Sequence, residues 1–251
     1  MTSDLRDKTA IVTGGGRGIG RGIALALAAN GAAVVIGGRS LAPLQETVAE
    51  IEGRGGRARA ITCDVRRDSD LEELVQGAKD RFGSIDCLVN NAMQVPHGPL
   101  LDIAADVIDA AWTSGPLASL KLMRLCHPHL VGGGSIVNIS SGSSLTDRVG
   151  LGMYAATKAA LNSISRAAAV EWGADGIRVN VVMPFGKSDS VASFLITEPG
   201  FAEEIQRTTP LGRVGDPEED IGRVVAFLCS AEAGYITGAV IPADGGRSYL
   251  R

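Results

Sequence analysis

Short apolar runs of strand length alternate with helically spaced stretches along the whole chain. Thr9-Ala10-Ile11-Val12-Thr13 is the first run and ends in a glycine cluster. Ile19 to Ala29 follows at helical spacing, and Asn30-Gly31 supplies its C-terminal stop. Ala33 to Ile36 predicts a second strand, and Leu41 to Ile51 an amphipathic helix with Glu46 and Glu50 on its wet side. Ala58 to Val65 predicts a third strand, and Leu71, Leu74, Val75 and Ala78 form the buried stripe of the next helix. Further strands are predicted at Ile85 to Asn90, Ser135 to Ser140, Ile177 to Val182 and Ala239 to Pro242. Helices are predicted at Ala104 to Leu125, Tyr154 to Trp172 and Glu218 to Cys229. Leu88-Val89 and Val179 to Val182 are nearly continuous in apolar character, as in parallel strands covered on both faces. Right-handed crossovers then make a doubly wound α/β layer the economical topology. With no internal repeat and no linker-like stretch, residues 1–251 read as one domain.

Composition narrows the function without naming it. The 251 residues are 45% hydrophobic and 21% charged, enough to bury a core without staples. A net charge of −4 without basic runs argues against a nucleic-acid surface. The start, Met1-Thr2-Ser3-Asp4, lacks the basic flank and apolar run of a secretory signal, and the longest uncharged stretch, Leu125 to Thr146, is too polar for lipid. A soluble, cytoplasmic protein with no membrane partner is expected. Cys63, Cys87, Cys126 and Cys229 are scattered among apolar neighbours and read as buried free thiols. With His97, His127 and His129 they supply no clustered ligand set, so no metal is expected.

The candidate chemistry begins after the first strand. Thr13-Gly14-Gly15-Gly16-Arg17-Gly18-Ile19-Gly20 opens a helix, where glycines allow a tight turn and a pyrophosphate can approach the backbone N–H groups. An ordinary glycine-rich turn is the alternative. The second strand ends in Gly37-Gly38-Arg39, with no carboxylate to take a ribose 2′-hydroxyl. Arg17 and Arg39 suit a 2′-phosphate through their forked donors, unless either is only a solvated loop residue. NADP is therefore expected ahead of NAD. Farther on, Tyr154 and Lys158 share a helix face at i,i+4, where an ammonium favours the tyrosinate and eases proton exchange. Ser140-Ser141 ends the preceding strand at the edge where ligands bind in such sheets.

Together these motifs resemble the short-chain dehydrogenase/reductase family, in particular its 3-oxoacyl-ACP-reductase-like members, over nearly the whole chain. The glycine turn corresponds to the family's cofactor turn, Asn90-Asn91-Ala92 to its NNA segment, and Tyr154 and Lys158 to its YxxxK. Ile236-Thr237-Gly238 through Asp244-Gly245-Gly246 resembles its C-terminal signature. The resemblance implies a Rossmann-like three-layer sandwich with a mostly parallel seven-stranded sheet. It gives Tyr154 the role of general acid or base, Lys158 that of holding the nicotinamide ribose and tuning the tyrosine, and Ser141, ahead of Ser140, that of positioning the carbonyl. Cofactor contacts are implied for Gly14, Gly16, Arg17, Gly18, Ile19 and Gly20 in the turn, and for Arg39. They are implied too for Asp64 at the adenine, and for Val65, Asn91, Ala92 and Pro184. The implied reaction is hydride transfer between nicotinamide and a ketone or secondary alcohol.

Four positions, in three places, depart from the family pattern. Trp112 aligns with an asparagine that supports a water relay to the lysine, and an indole has no acceptor to replace it, unless Thr113 or Ser114 compensates. Met93 follows the NNA segment in place of glycine, and Phe185 follows Pro184. Asp189 stands where a threonine is usual. A lid at about residues 187–206, carrying Phe194, Leu195, Ile196 and Phe201, implies a mostly apolar substrate unless Leu195 and Phe201 pack only against the protein, with Met93, Trp112, Ser141 and Phe185 also lining its site. A homotetramer is implied through the long helices, one bearing the small-residue stripe Ala155, Ala159, Ser163 and Ala167, and through the segment Gly246 to Arg251. Two other readings stay open: a catalytically impaired cofactor-binding protein, and a lyase or epimerase on the same scaffold.

Overall fold

The computed structural model describes residues 3–145 and 149–248. Seven strands form one parallel sheet in the order β3-β2-β1-β4-β5-β6-β7. They are β1 (Thr9–Thr13), β2 (Ala33–Gly38), β3 (Arg57–Thr62), β4 (Cys87–Asn90), β5 (Ser135–Ile139), β6 (Arg178–Pro184) and β7 (Val240–Ala243). Alternate residues of the central strands feed two separate cores: Ala10, Val12, Val34 and Ile36 enter one, Ile11, Val35 and Leu88 the other. Both faces of these central strands are therefore dry, which is why they read as nearly continuous apolar runs.

The helices are α1 (Gly18–Ala29), α2 (Leu41–Gly53), α3 (Asp68–Phe82), α4 (Ala105–Trp112), α5 (Ala118–Leu130), α6 (Gly152–Glu171), α7 (Asp189–Thr197), α8 (Phe201–Thr208) and α9 (Arg223–Cys229). Strand order reverses direction between β1 and β4, so their carboxyl ends flank a crevice, the usual ligand position in such a sheet.

Three predicted elements need correction. The helix expected over Ala104 to Leu125 is two helices, α4 and α5, joined by a π-type wide turn at Thr113–Leu117. Pro116 sits in that turn, where its missing N–H breaks the regular ladder, and α5 then continues through Pro128 to Leu130. Pro217–Gly222 forms a second wide turn, so only Arg223–Cys229 of the helix predicted from Glu218 is regular α-helix. The third strand stops at Thr62, because the Asp64 N–H turns to the Asp70 carboxylate instead of a neighbouring strand. Among the described residues no helix is long and apolar enough to cross a membrane, and no cluster of His, Cys, Asp and Glu is arranged to hold a metal. The predicted subunit-contact residues Tyr249, Leu250 and Arg251 lie outside the described residues, as do Met1 and Thr2.

Candidate active site

One wall of the crevice is built by Thr13, the last residue of β1. Its Oγ1 accepts hydrogen bonds from the backbone N–H groups of both Asn91 and Ala92, each at 3.0 Å. The Asn91 amide in turn donates to the Thr13 carbonyl at 2.9 Å and lies over the glycine turn. Gly14 has φ +70°, and a Cβ there would stand 2.7 Å from Asn91 Nδ2. A Cβ on Gly20 would overlap the Gly14 carbonyl oxygen and lie 2.5 Å from the same amide. The bare backbone therefore forms a cradle without side chains at the N-terminus of α1, the kind of helix end that suits an anion. Thr13 is the residue that motif reading passed over. A polar side chain closing an apolar strand just before the glycines is the signal that marks it.

The flanking cations differ. Arg39 is exposed at the end of β2 and has no hydrogen-bond or ion-pair partner among the described residues. Arg17, read from sequence as a free phosphate ligand, is instead paired with Asp189, Nε to Oδ2 3.0 Å. Both partners are well exposed, so the pair is weak and open to exchange. Asp64 is bound by Arg66 at 2.6 and 3.0 Å, and that contact, helped by Arg39, holds its carboxyl below the usual range. Ile19 and Val65 pack against the two cores.

The opposite wall is the end of β5 and the start of α6. Ser140 is buried, with its hydroxyl turned to the Lys158 carbonyl at 3.4 Å, whereas the Ser141 side chain acts on the Tyr154 phenol and draws its pKa downward. The geometry therefore separates two serines that sequence alone barely distinguishes. Ser141 Oγ also accepts the Ser143 N–H at 3.1 Å, at the head of the short 3-10 turn Gly142–Ser144. Lys158 is buried, and its Nζ donates to the Ile139 carbonyl at 2.7 Å and lies 5.8 Å from the centroid of the Tyr154 ring. Burial raises the Tyr154 phenol above its ordinary value, opposed by the Ser141 hydrogen bond, so it is protonated at neutral pH.

Desolvation lowers Lys158 from 10.5 to about 8. The folded chain then binds fewer protons than the unfolded one between those two values, so stability rises with pH across that window and is penalised below it. Lys158→Met is expected to be more stable than wild type near neutral pH by up to about 3 kcal/mol, the gap closing by about pH 10. Urea denaturation of both proteins across that range checks this. A gap independent of pH would mean that the lysine is not depressed.

The remaining predicted residues are spread around this centre. Met93 packs against Gly115 in the wide turn, its Sδ 3.3 Å from where a Cβ would stand. Trp112 is half-buried at the last position of α4. The residue of this segment that reaches the loop after β4 is Ser114, whose Oγ accepts the Gln94 N–H at 2.9 Å and donates to the Ala110 carbonyl at 2.7 Å. Pro184 ends β6. The Phe185 ring lies under the Arg247 guanidinium, 4.3 Å from its centroid, and lines a cavity of about 480 Å³ with Pro210, Leu211 and Val224. None of Ser141, Tyr154 and Lys158 lines that cavity. Phe194 and Phe201 meet edge to face at 5.8 Å, joining α7 to α8. No residue of α7 is buried, and α8 is anchored by Ile205.

The chain matches the family described as Enoyl-(Acyl carrier protein) reductase over residues 14–248. It is 39% identical over 248 residues to the 12alpha-hydroxysteroid dehydrogenase of Clostridium sp. (strain ATCC 29733 / VPI C48-50), covering 95% of this chain and 96% of that protein. Two solved structures superpose with a TM-score of 0.92 each. One is a putative short-chain alcohol dehydrogenase from Sinorhizobium meliloti 1021, 36% identical and covering 98% of both chains. The other is a 7 alpha-hydroxysteroid dehydrogenase complexed with NADH and 7-oxo glycochenodeoxycholic acid, 32% identical and covering 98% of this chain and 96% of that one.

Proposed function

This chain belongs to the short-chain dehydrogenase/reductase family of oxidoreductases, and on that premise we propose that it transfers hydride between NADP(H) and a mostly apolar ketone or secondary alcohol. The observation that carries this reading is the meeting of Ser141, Tyr154 and Lys158 at the carboxyl edge of the sheet that also holds the glycine cradle. The bare cradle and its helix N-terminus fit a dinucleotide diphosphate, and Lys158 would hold the ribose. The cofactor supplies the hydride chemistry, and the protein contributes placement and proton handling. Tyr154, protonated at neutral pH, donates to the carbonyl oxygen during reduction, and Ser141 holds that oxygen beside it. Lys158, once charged, steadies the phenolate left behind. Asn91 and Ala92 stiffen the cradle, and Met93 bounds the site on the side of the wide turn.

Arg39 favours NADP, since it stands unpaired where an acidic residue would select NAD. Arg17 joins it by giving up Asp189. Arg39→Asp is expected to weaken NADPH by about tenfold or more, about 1.5 kcal/mol, while NADH changes little. Fluorescence titration with both cofactors measures this, and equal dissociation constants in the wild type would reject the preference.

Exposed Leu100, Leu101 and Val149, with Phe194 and Ile196 of α7, favour an apolar substrate. The hydroxysteroid relatives suggest a rigid polycyclic one. Nicotinamide absorbance with oxo bile acids, tropinone and a polyhydroxylated sugar ranks the classes. Cofactor binding without turnover of any ketone would favour a non-redox role. The same reading includes a cytoplasmic homotetramer. Ala159, Ser163 and Ala167 lie exposed on α6 beside Val170, which leaves that stripe free for a neighbouring subunit. Light scattering of the purified protein measures the assembly.

A further inference from the structure

We infer that Asn162 is a positioning residue for Ser141, acting through Ser144. The proposal rests on the reading that Ser141 holds the substrate oxygen. Asn162 lies on α6 one turn beyond Lys158, which is itself one turn beyond Tyr154, and only 6% of it is exposed. Its Nδ2 donates to Ser144 Oγ at 3.0 Å, and Ser144 Oγ donates to the Ser141 carbonyl at 2.8 Å. A hydroxyl has one proton. Ser144 gives it to the Ser141 carbonyl, a nearer and stronger acceptor than Met183 Sδ at 3.6 Å, so Ser144 Oγ must accept from Asn162, which turns its amide nitrogen towards it.

The consequence reaches the catalytic hydroxyl. The Ser141 carbonyl also accepts the Ser144 N–H at 3.0 Å, and Ser141 Oγ accepts the Ser143 N–H at 3.1 Å. With that lone pair occupied, the Ser141 hydroxyl is held in one rotamer beside Tyr154. On its far side the turn is backed by the C-terminal segment. Gly142 abuts the Ser248 hydroxyl, and the Ser248 N–H is fixed by Asp244 at 2.6 Å. The serine turn is thus gripped between α6 and the segment after β7.

A second observation sets Asn162 apart from ordinary packing. Its Oδ1 is the buried side-chain polar atom left without a hydrogen-bond partner among the described residues. Such an atom is costly to bury, and an apolar side chain of similar size would fill the space without it. What only the amide supplies here is the donor to Ser144.

The test compares Asn162→Leu, Ser144→Ala and the double variant, each saturated with NADPH and assayed with 7-oxo and 12-oxo bile acids. Each single change is expected to lower kcat about tenfold with KM and the NADPH Kd within about twofold, and the double to be no worse than the poorer single, because both cut one chain. Amide exchange at Ser143 and Ser144, which needs no turnover, is expected to quicken about tenfold in each single variant and no further in the double. If the wild type reduces neither bile acid, the proposed substrate class falls and the exchange data alone decide the positioning role. Unchanged exchange, an unchanged kcat in a wild type that turns over, or multiplying losses in the double variant would each overturn it. Ser144→Ala removes a single oxygen, so it keeps the test decisive should Asn162→Leu fail to fold.

Discussion

Tyr154→Phe is expected to lower kcat by about two orders of magnitude or more while leaving the NADPH dissociation constant nearly unchanged. The substitution removes one oxygen from a ring that packs at the start of α6, so the fold loses one hydrogen bond to Ser141 and little else. Lys158→Ala is expected to damage both turnover and cofactor binding. Its ammonium stands near the Tyr154 ring and is fixed to the Ile139 carbonyl, and on the proposed reading it also holds the ribose. Stopped-flow reduction at saturating cofactor separates the two, since it reads the chemical step after binding. Turnover that survives in Tyr154→Phe would assign the proton to another group.

Gly20→Ala is expected to be the second severe change. A methyl there meets the Gly14 carbonyl oxygen and the Asn91 amide; Asn91 is tied to Thr13 and the Gly14 N–H to the Gly37 carbonyl, so neither yields cheaply. Overpacking of this kind costs about 1–3 kcal/mol, and here the strain falls on the cradle itself. Thermal melts should fall by about 2–10 °C on the usual scaling for a chain of this size. Cofactor affinity should fall by more than the change in stability explains. Gly53→Ala is the control: it ends α2 with nothing within 4 Å of the added methyl, and alanine there should be neutral or stabilising by about 0.5–1 kcal/mol. Two like responses would mean that the cradle tolerates a side chain.

The sheet was legible because its strands are buried on both faces, and the glycine turn because backbone shape leaves a mark on residue choice. The Tyr154–Lys158 pair was legible for a similar reason, since helix spacing alone puts both on one face. The wide turns were not. A π-type turn changes the helical register without changing composition, so the run from Ala104 to Leu125 still looked like one helix. Pro116 was its one visible sign. The ion pair of Arg17 with Asp189 was hidden too, because it joins residues far apart in sequence across the crevice mouth. Ser144 and Asn162 were invisible for the same reason: their roles exist only where the serine turn meets α6.

Thr13 ties the ends of β1 and β4 together through one hydroxyl, whereas α7 on the other side has no buried residue at all. On the proposed reading, cofactor and substrate would therefore rest on parts of very different mutational tolerance. A change in α7 has no core to disturb, and a change in the cradle has nowhere to relax. Descendants of such a chain can diverge in what they reduce long before they diverge in what they reduce it with.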